Sequence, residues 1–309
     1  MADSAILGAT GPTGIHLAGI LHKQGKAVRV VSRSKSNLER AFLDPAFEKI
    51  AADILAAGDA LRAIDNCPLV FDCLGLPSEQ MHLHPVAARN IADAIRATGA
   101  RCIQVSSYWA YLPLQYSPLN ETHPRSGGSD WMRWRREAED ILRDAGAAIL
   151  HLPDFYGPHV HTSTLQNALV EAAQGKTMNW IGDAAIAREY IYVPDAMAIA
   201  ARIADHAEAF GADWVLPGSG PLSGAQVADI ASRHLGRKVK VRSAGALMLR
   251  LVSLFNRELR GFMQMAPDYM KPIAYGAAKL EALLGRLEMT PYDTGIARTL
   301  ASLTASAKP

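Results

Sequence analysis

The chain has 309 residues, 49% of them hydrophobic and 20% charged, with 32 Lys and Arg against 30 Asp and Glu. That length carries one large α/β domain or two unequal ones, each with a real core. That composition excludes wholesale disorder, and the near balance of charge gives no footing for a nucleic acid partner.

In chain order, short β-branched runs alternate with helical patterns. Strands are expected at 5–7, 27–31, 69–74, 102–106 and 148–152, with a weaker one at 47–51, and helices at 13–23, 60–64, 85–97 and 130–145. Such alternation implies right-handed βαβ crossovers and a parallel sheet covered on both faces, a doubly wound Rossmann-type α/β fold. A proline-containing loop spans 112–129, long enough to expect a functional or mobile role. After Pro153 the rhythm changes. Helices are expected at 164–174 and 224–235, a strand at 238–241, and a long helical stretch over 244–263 that ends before Pro267 and Pro272.

The segment Ile6-Leu7-Gly8-Ala9-Thr10-Gly11-Pro12-Thr13-Gly14 places three glycines directly after a strand and at the mouth of a helix. Gly8 permits a tight turn, Gly11 lets backbone approach a pyrophosphate, and Gly14 allows close packing of helix on strand. The free N–H groups of the helix start, at Thr13 and Gly14 and the preceding Thr10, then frame the phosphates, and Pro12 opens the helix beside them. A second strand some 20 residues on completes a dinucleotide fingerprint. NAD sites carry Asp or Glu at the end of that strand; here stand Ser32, Arg33 and Lys35. Two cations and a hydroxyl match a 2′-phosphate, so NADP(H) is expected over NAD(H).

Ten histidines include two i, i+2 pairs, His82 with His84 and His159 with His161, but no H-E-x-x-H and no accompanying cysteine or carboxylate cluster, so no metal site is expected. Cys67, Cys73 and Cys102 lie in or beside apolar runs without a C-x-x-C, the pattern of small buried residues in a reducing, cytoplasmic setting. No basic segment precedes the first strand, as a signal peptide would require, and the longest apolar run, 244–255, contains Arg250 and is too short to cross a bilayer.

These motifs together resemble an extended or atypical short-chain dehydrogenase/reductase of the NAD-dependent epimerase/dehydratase type, over nearly the whole chain. The glycine segment resembles that family's cofactor turn. Ala52-Asp53-Ile54 resembles its adenine-contacting Asp with a following apolar residue. Asp72-Cys73-Leu74-Gly75 resembles the strand end that lines the cofactor. Val105-Ser106-Ser107 followed by Tyr111 is similar to its fifth-strand motif, with Ser107 at the catalytic serine. The segment 152–158 resembles the entry to the substrate region, which implies cofactor contacts at Pro153 and Phe155, and Glu189 to Asp195 looks like a later strand returning to the core. The resemblance implies a dinucleotide-binding domain over 1–155, a substrate-binding region over 156–309 with about 186–206 returning to the first, and a homodimer through a four-helix interface of the helices at 85–97 and 130–145.

The departure is in the catalytic pair. Where the family has Y-x-x-x-K, this chain has Trp131 and Arg135. An indole N–H donates hydrogen bonds but is no practical acid near neutral pH, whereas Arg135 keeps its charge and is expected to hold the nicotinamide ribose. The one Y-x-x-x-K string, Tyr275 to Lys279, follows Ser107 too distantly and is read as structural. Among Tyr108, Tyr111 and Tyr156, the last is the first choice to replace the missing hydroxyl, because it opens the expected substrate region; aromatic packing is the competing role for each. Three functions follow: an NADP(H)-dependent oxidoreductase of a small carbonyl or activated alkene, a cofactor-sensing regulator without turnover, and a sugar-nucleotide epimerase or dehydratase. The cofactor carries the hydride in the first, which therefore tolerates loss of the proton relay best.

Overall fold

The structure, a computed structural model, describes residues 1–245, 248, 250, 254 and 262–306. The first lobe is built from β1 (Ser4–Leu7), α1 (Pro12–Lys23), β2 (Val28–Ser32), α2 (Lys35–Ala41), β3 (Glu48–Ala51), α3 (Ala57–Ile64), β4 (Leu69–Asp72), α4 (His84–Thr98), β5 (Arg101–Ser107), α5 (Asp130–Asp144) and β6 (Ala148–Leu152). It continues into β7 (Asp154–Tyr156), α6 (Thr164–Ala173), β8 (Met178–Ile181), β9 (Ala187–Tyr192), α7 (Val193–Ile203), β10 (Asp213–Val215), β11 (Pro221–Ser223), α8 (Gly224–Leu235) and β12 (Val241–Ala244). Three helices close the described chain: α9 (Ala266–Tyr269), α10 (Ala278–Leu284) and α11 (Tyr292–Ser306).

Seven strands form one parallel sheet in the order β10-β6-β5-β4-β1-β2-β3. The order reverses between β1 and β4, so the connections leaving those strands diverge and open a crevice at the carboxyl edge. Apolar runs account for the burial on both faces. One face packs Leu17, Ala18 and Leu21 of α1 together with Ala196, Met197 and Ala200 of α7; the other packs Ala60 and Ile64 of α3 with Ile91 and Ile95 of α4. Pro12 at the first turn of α1 has no N–H to leave unsatisfied, and Gly11 precedes it in extended conformation.

The region after β6 differs from expectation in several places. β7 pairs with β9 and β9 with β11 in a separate small sheet. The return to the first lobe is larger than the 186–206 segment, because β10 hydrogen-bonds to β6 as the outer strand of the main sheet and Leu280 of α10 packs into its core. The strand expected at 238–241 lies at Val241–Ala244, paired with β8. α8 starts with Ser223 and Gln226 capping each other's backbone N–H groups, at 3.2 and 2.9 Å, the reciprocal box that fixes a helix start. The helical stretch read over 244–263 falls mostly outside the described residues. Among the described residues, no helix is long and apolar enough to cross a membrane, and no group of three or more His, Cys, Asp or Glu is placed to hold a metal.

Candidate cofactor and active site

The crevice encloses about 410 Å³ and runs from the glycine turn past β2 and β4 to the end of β5. Gly8 sits at φ +73°, and a Cβ there would lie 2.7 Å from the Cys73 carbonyl oxygen, so turn and close approach both require glycine. Gly14 is no lining residue; its space is taken by Ala9, whose Cα would be 2.5 Å from an added Cβ. It brings α1 down onto β1, which aims the helix mouth into the crevice. Thr10, Gly11, Pro12 and Thr13 line that mouth. The Thr10 hydroxyl is 3.1 Å from that of Ser32, tying the turn to the end of β2. Arg33 also lines the crevice, whereas Lys35 extends into solvent beside Glu39 at 3.9 Å and does not.

Further along, Asp53 and Ile54 border one wall, and Leu74 and Gly75 another. Asp53 accepts a hydrogen bond from Leu55 N at 3.1 Å, and its own N–H donates to Asp59 at 2.8 Å, which holds the post-β3 turn rigid. Asp72 lies behind the β4 wall. It accepts from Leu74 N and from Gln104 Nε2, both at 3.1 Å, and burial pushes its pKa up to about 6 against those bonds and Arg135.

At the far end stand Ser106, Ser107, Arg135 and Phe155. Arg135 Nη1 donates to Ser106 Oγ at 3.1 Å, and its guanidinium lies 5.8 Å from the Trp109 ring centroid. Burial lowers its pKa, with Glu139 and Asp72 acting in opposition. Its Nε has no hydrogen-bond partner among the described residues. A glycine-framed helix mouth at one end of the crevice and the Arg135 guanidinium lining the other fit a dinucleotide. Trp131 does not line the crevice; it stacks on Trp109 at 6.3 Å and an interplanar angle of 23°. Pro153 is buried between β6 and β7, also off the lining.

The tyrosines require a correction. Tyr156 has no exposure and packs at 5.5 Å on Tyr192 and 5.9 Å on Tyr292, beneath Gly295 of α11, outside the crevice. β7 diverts the chain into the small sheet immediately after β6, so Phe155 turns to the crevice and Tyr156 to the C-terminal core. Tyr108 is buried and accepts from Arg188 Nη2 at 3.2 Å, and Tyr111 packs at 4.8 Å on His151. Burial raises the pKa of all three. Tyr275 lies in a cluster with Tyr108, while Lys279 donates to the Asp213 carbonyl at 2.6 Å, so that pair forms no site.

Sequence reasoning passed over Glu139, His151 and Asp213, a polar column behind β5 in which the first two are buried and Asp213 is partly exposed. The only signal was the i, i+4 spacing of Arg135 and Glu139 on α5, which puts both on one helix face.

The family described as NAD(P)H-binding matches residues 8–151. The whole chain has a Rossmann-type α/β fold that solved epimerases and dehydratases share. Similar solved structures include UDP-glucuronic acid 4-epimerase from Bacillus cereus in complex with UDP-glucuronic acid and NAD, at 14% identity, TM-score 0.82, covering 98% of this chain and 99% of that one. An epimerase from Methanothermobacter thermautotrophicus matches at 16% identity, TM-score 0.83, with 99% and 93% covered. A double mutant of dTDP-glucose 4,6-dehydratase from Streptomyces venezuelae, with NAD bound, matches at 17% identity, TM-score 0.78, with 97% and 96% covered. At such identities the likeness is one of fold. No curated protein matches this chain in sequence.

Proposed function

We propose that this protein is an NADP(H)-dependent oxidoreductase that reduces a small carbonyl or activated alkene. The observation that carries the reading is the pairing at the two ends of one crevice: Arg33 with Ser32 where a carboxylate would read an unphosphorylated ribose, and Arg135 with Ser107 at the reacting end. When bound, the cofactor supplies the hydride. Arg33 meets the 2′-phosphate as a permanent cation, with Ser32 donating a hydrogen bond. Ser107 directs its O–H to the substrate oxygen as negative charge grows there, a role that needs a donor in place but no base, while Arg135 holds the nicotinamide ribose beside it. Solvent at the crevice mouth supplies the proton, since the hydroxyls of Tyr108, Tyr111 and Tyr156 are held in the core. Reduction is favoured over epimerisation or dehydration for that reason: those reactions begin by oxidising a substrate hydroxyl and need a base beside it.

The burial of those tyrosines equally fits a cofactor-sensing regulator without turnover. The reading as an enzyme includes a homodimer through the outer faces of α4 and α5, where Arg89 and Glu137 pair at 2.6 Å. The test is incubation with NADPH and a panel of aldehydes, ketones and enones while cofactor absorbance is followed. Oxidation with at least one class supports the enzyme. Tight NADPH uptake with no oxidation across the panel assigns the regulator instead.

A further inference from the structure

Glu139 has no exposure, although α5 offers it a route to solvent at the neighbouring Asp140. A carboxylate is costly to bury unless its oxygens are paired. Arg125 Nη2 donates to Oε2 at 2.7 Å, and the Ser106 hydroxyl donates a short hydrogen bond to Oε1. Behind it, His151 Nδ1 stands 3.8 Å from Oε1 while its Nε2 donates to Asp213 at 2.8 Å, and Asp213 is gripped by Arg143 at 2.7 and 3.0 Å. Among the described residues of this column, Ser106 is the one that lines the crevice.

The chemistry of the partners fixes where each hydrogen lies. An ionised carboxylate only accepts and a guanidinium only donates. The single hydroxyl hydrogen of Ser106 therefore goes to Glu139, and its lone pairs face Arg135 Nη1 at 3.1 Å. Ser106 acts as an adaptor between a buried anion and a crevice cation that sit one helical turn apart. With Nη1 tied at this point and the guanidinium held 5.8 Å from the Trp109 ring centroid, the rigid planar fork of Arg135 is fixed in direction beside the crevice that this residue lines.

We propose that Glu139 is a positioning residue that, through Ser106, sets the orientation in which Arg135 grips the bound nicotinamide dinucleotide. The inference rests on the reading of the crevice as an NADP(H) site. It predicts that Ser106, Glu139 and Arg135 behave as one unit in binding. In Glu139→Gln the amide oxygen goes to Arg125, so the amide N–H₂ turns to Ser106 and occupies the lone pair that Arg135 uses. Ser106→Ala removes the adaptor and leaves the Glu139–Arg125 pair intact, which keeps a folded protein in hand.

The experiment is calorimetric titration of NADPH into the full chain and its variants, a readout that needs no substrate. Ser106→Ala, Glu139→Gln and Arg135→Ala are each expected to weaken NADPH about tenfold, the worth of one charge-assisted hydrogen bond. The double variant Ser106→Ala/Arg135→Ala is expected to bind no more weakly than Arg135→Ala alone. Unchanged affinity in Ser106→Ala, or effects that multiply in the double variant, overturns the proposal while leaving the NADP(H) reading in place. Failure of the wild-type chain to bind NADPH overturns both.

Discussion

The hydroxyl of Thr10 lies 3.1 Å from that of Ser32, so the glycine turn and the end of β2 are joined by side chains at the point proposed to read an adenosine ribose. Arg33 follows directly and lines the same crevice. Arg33→Ala is expected to weaken NADPH about tenfold and leave NADH unchanged, and Arg33→Asp to reverse the preference by placing a carboxylate where a ribose hydroxyl can donate. Because Arg33 is exposed, the NADPH advantage should shrink as salt rises. Titration of both nucleotides at two ionic strengths checks this. Equal affinities in the wild-type chain would remove the 2′-phosphate from the account.

Two glycines of the first βα unit should respond oppositely to the same substitution. Gly8→Ala forces φ +73° on an L-residue and brings its Cβ to 2.7 Å from the Cys73 carbonyl oxygen. The conformation alone costs about 1–2 kcal/mol, and β4 must shift to relieve the contact, so nucleotide binding should be lost with the stability. Gly19, inside α1, meets nothing within 4 Å. Gly19→Ala should stabilise by about 1 kcal/mol through helix propensity. Paired denaturant melts decide the matter; a stable, NADPH-binding Gly8→Ala protein is the contrary result.

The first lobe was legible because each of its signals is local. The β-branched runs fall within β1, β2, β5 and β6, and the glycine triplet lies between one strand and one helix. The helix α2 escaped because Lys35–Ala41 offers only Leu38 as a buried residue, too few for a period to show. Tyr156 was misplaced for a different reason. Whether a side chain at the end of β6 faces crevice or core depends on β7 joining β9, residues that are far apart in sequence. The column behind Ser106 was invisible for the same cause, since Glu139, His151 and Asp213 come from three elements that meet only across the folded sheet.

Asp72 gives a pH signature. Burial raises its folded pKa to about 6, above the ordinary 3.8, so the folded chain binds this proton more tightly than the unfolded chain does. Between about pH 4 and pH 6 the native state holds the proton and the unfolded state loses it, so this group makes stability fall as pH rises through that window and level off above it. A shift of about two units corresponds to about 3 kcal/mol. Asp72→Asn stays neutral, can still accept from Leu74 N, and can donate to Gln104 Oε1, which has no partner among the described residues. Melting temperatures across pH 4–8 should show the variant gaining on wild type until about pH 6 and holding that gain beyond it. A constant difference at every pH would mean that Asp72 does not carry this linkage.

Tyr156→Phe separates the buried aromatic cluster from the chemistry. The Tyr156 hydroxyl has no exposure and no hydrogen-bond partner among the described residues, and it lies against Gly295 of α11. Removing an oxygen that was desolvated without compensation should leave stability unchanged or raise it by about 1 kcal/mol. NADPH affinity and turnover should both match wild type, because Phe155, and not Tyr156, faces the crevice. Gly295→Ala, which drives a methyl group into that hydroxyl, should destabilise the wild-type chain and do so less in the Tyr156→Phe background, an interaction a double-mutant cycle resolves. A drop in turnover of tenfold or more in Tyr156→Phe, at unchanged melting temperature, would return this tyrosine to the reaction and reopen the question of where the proton comes from.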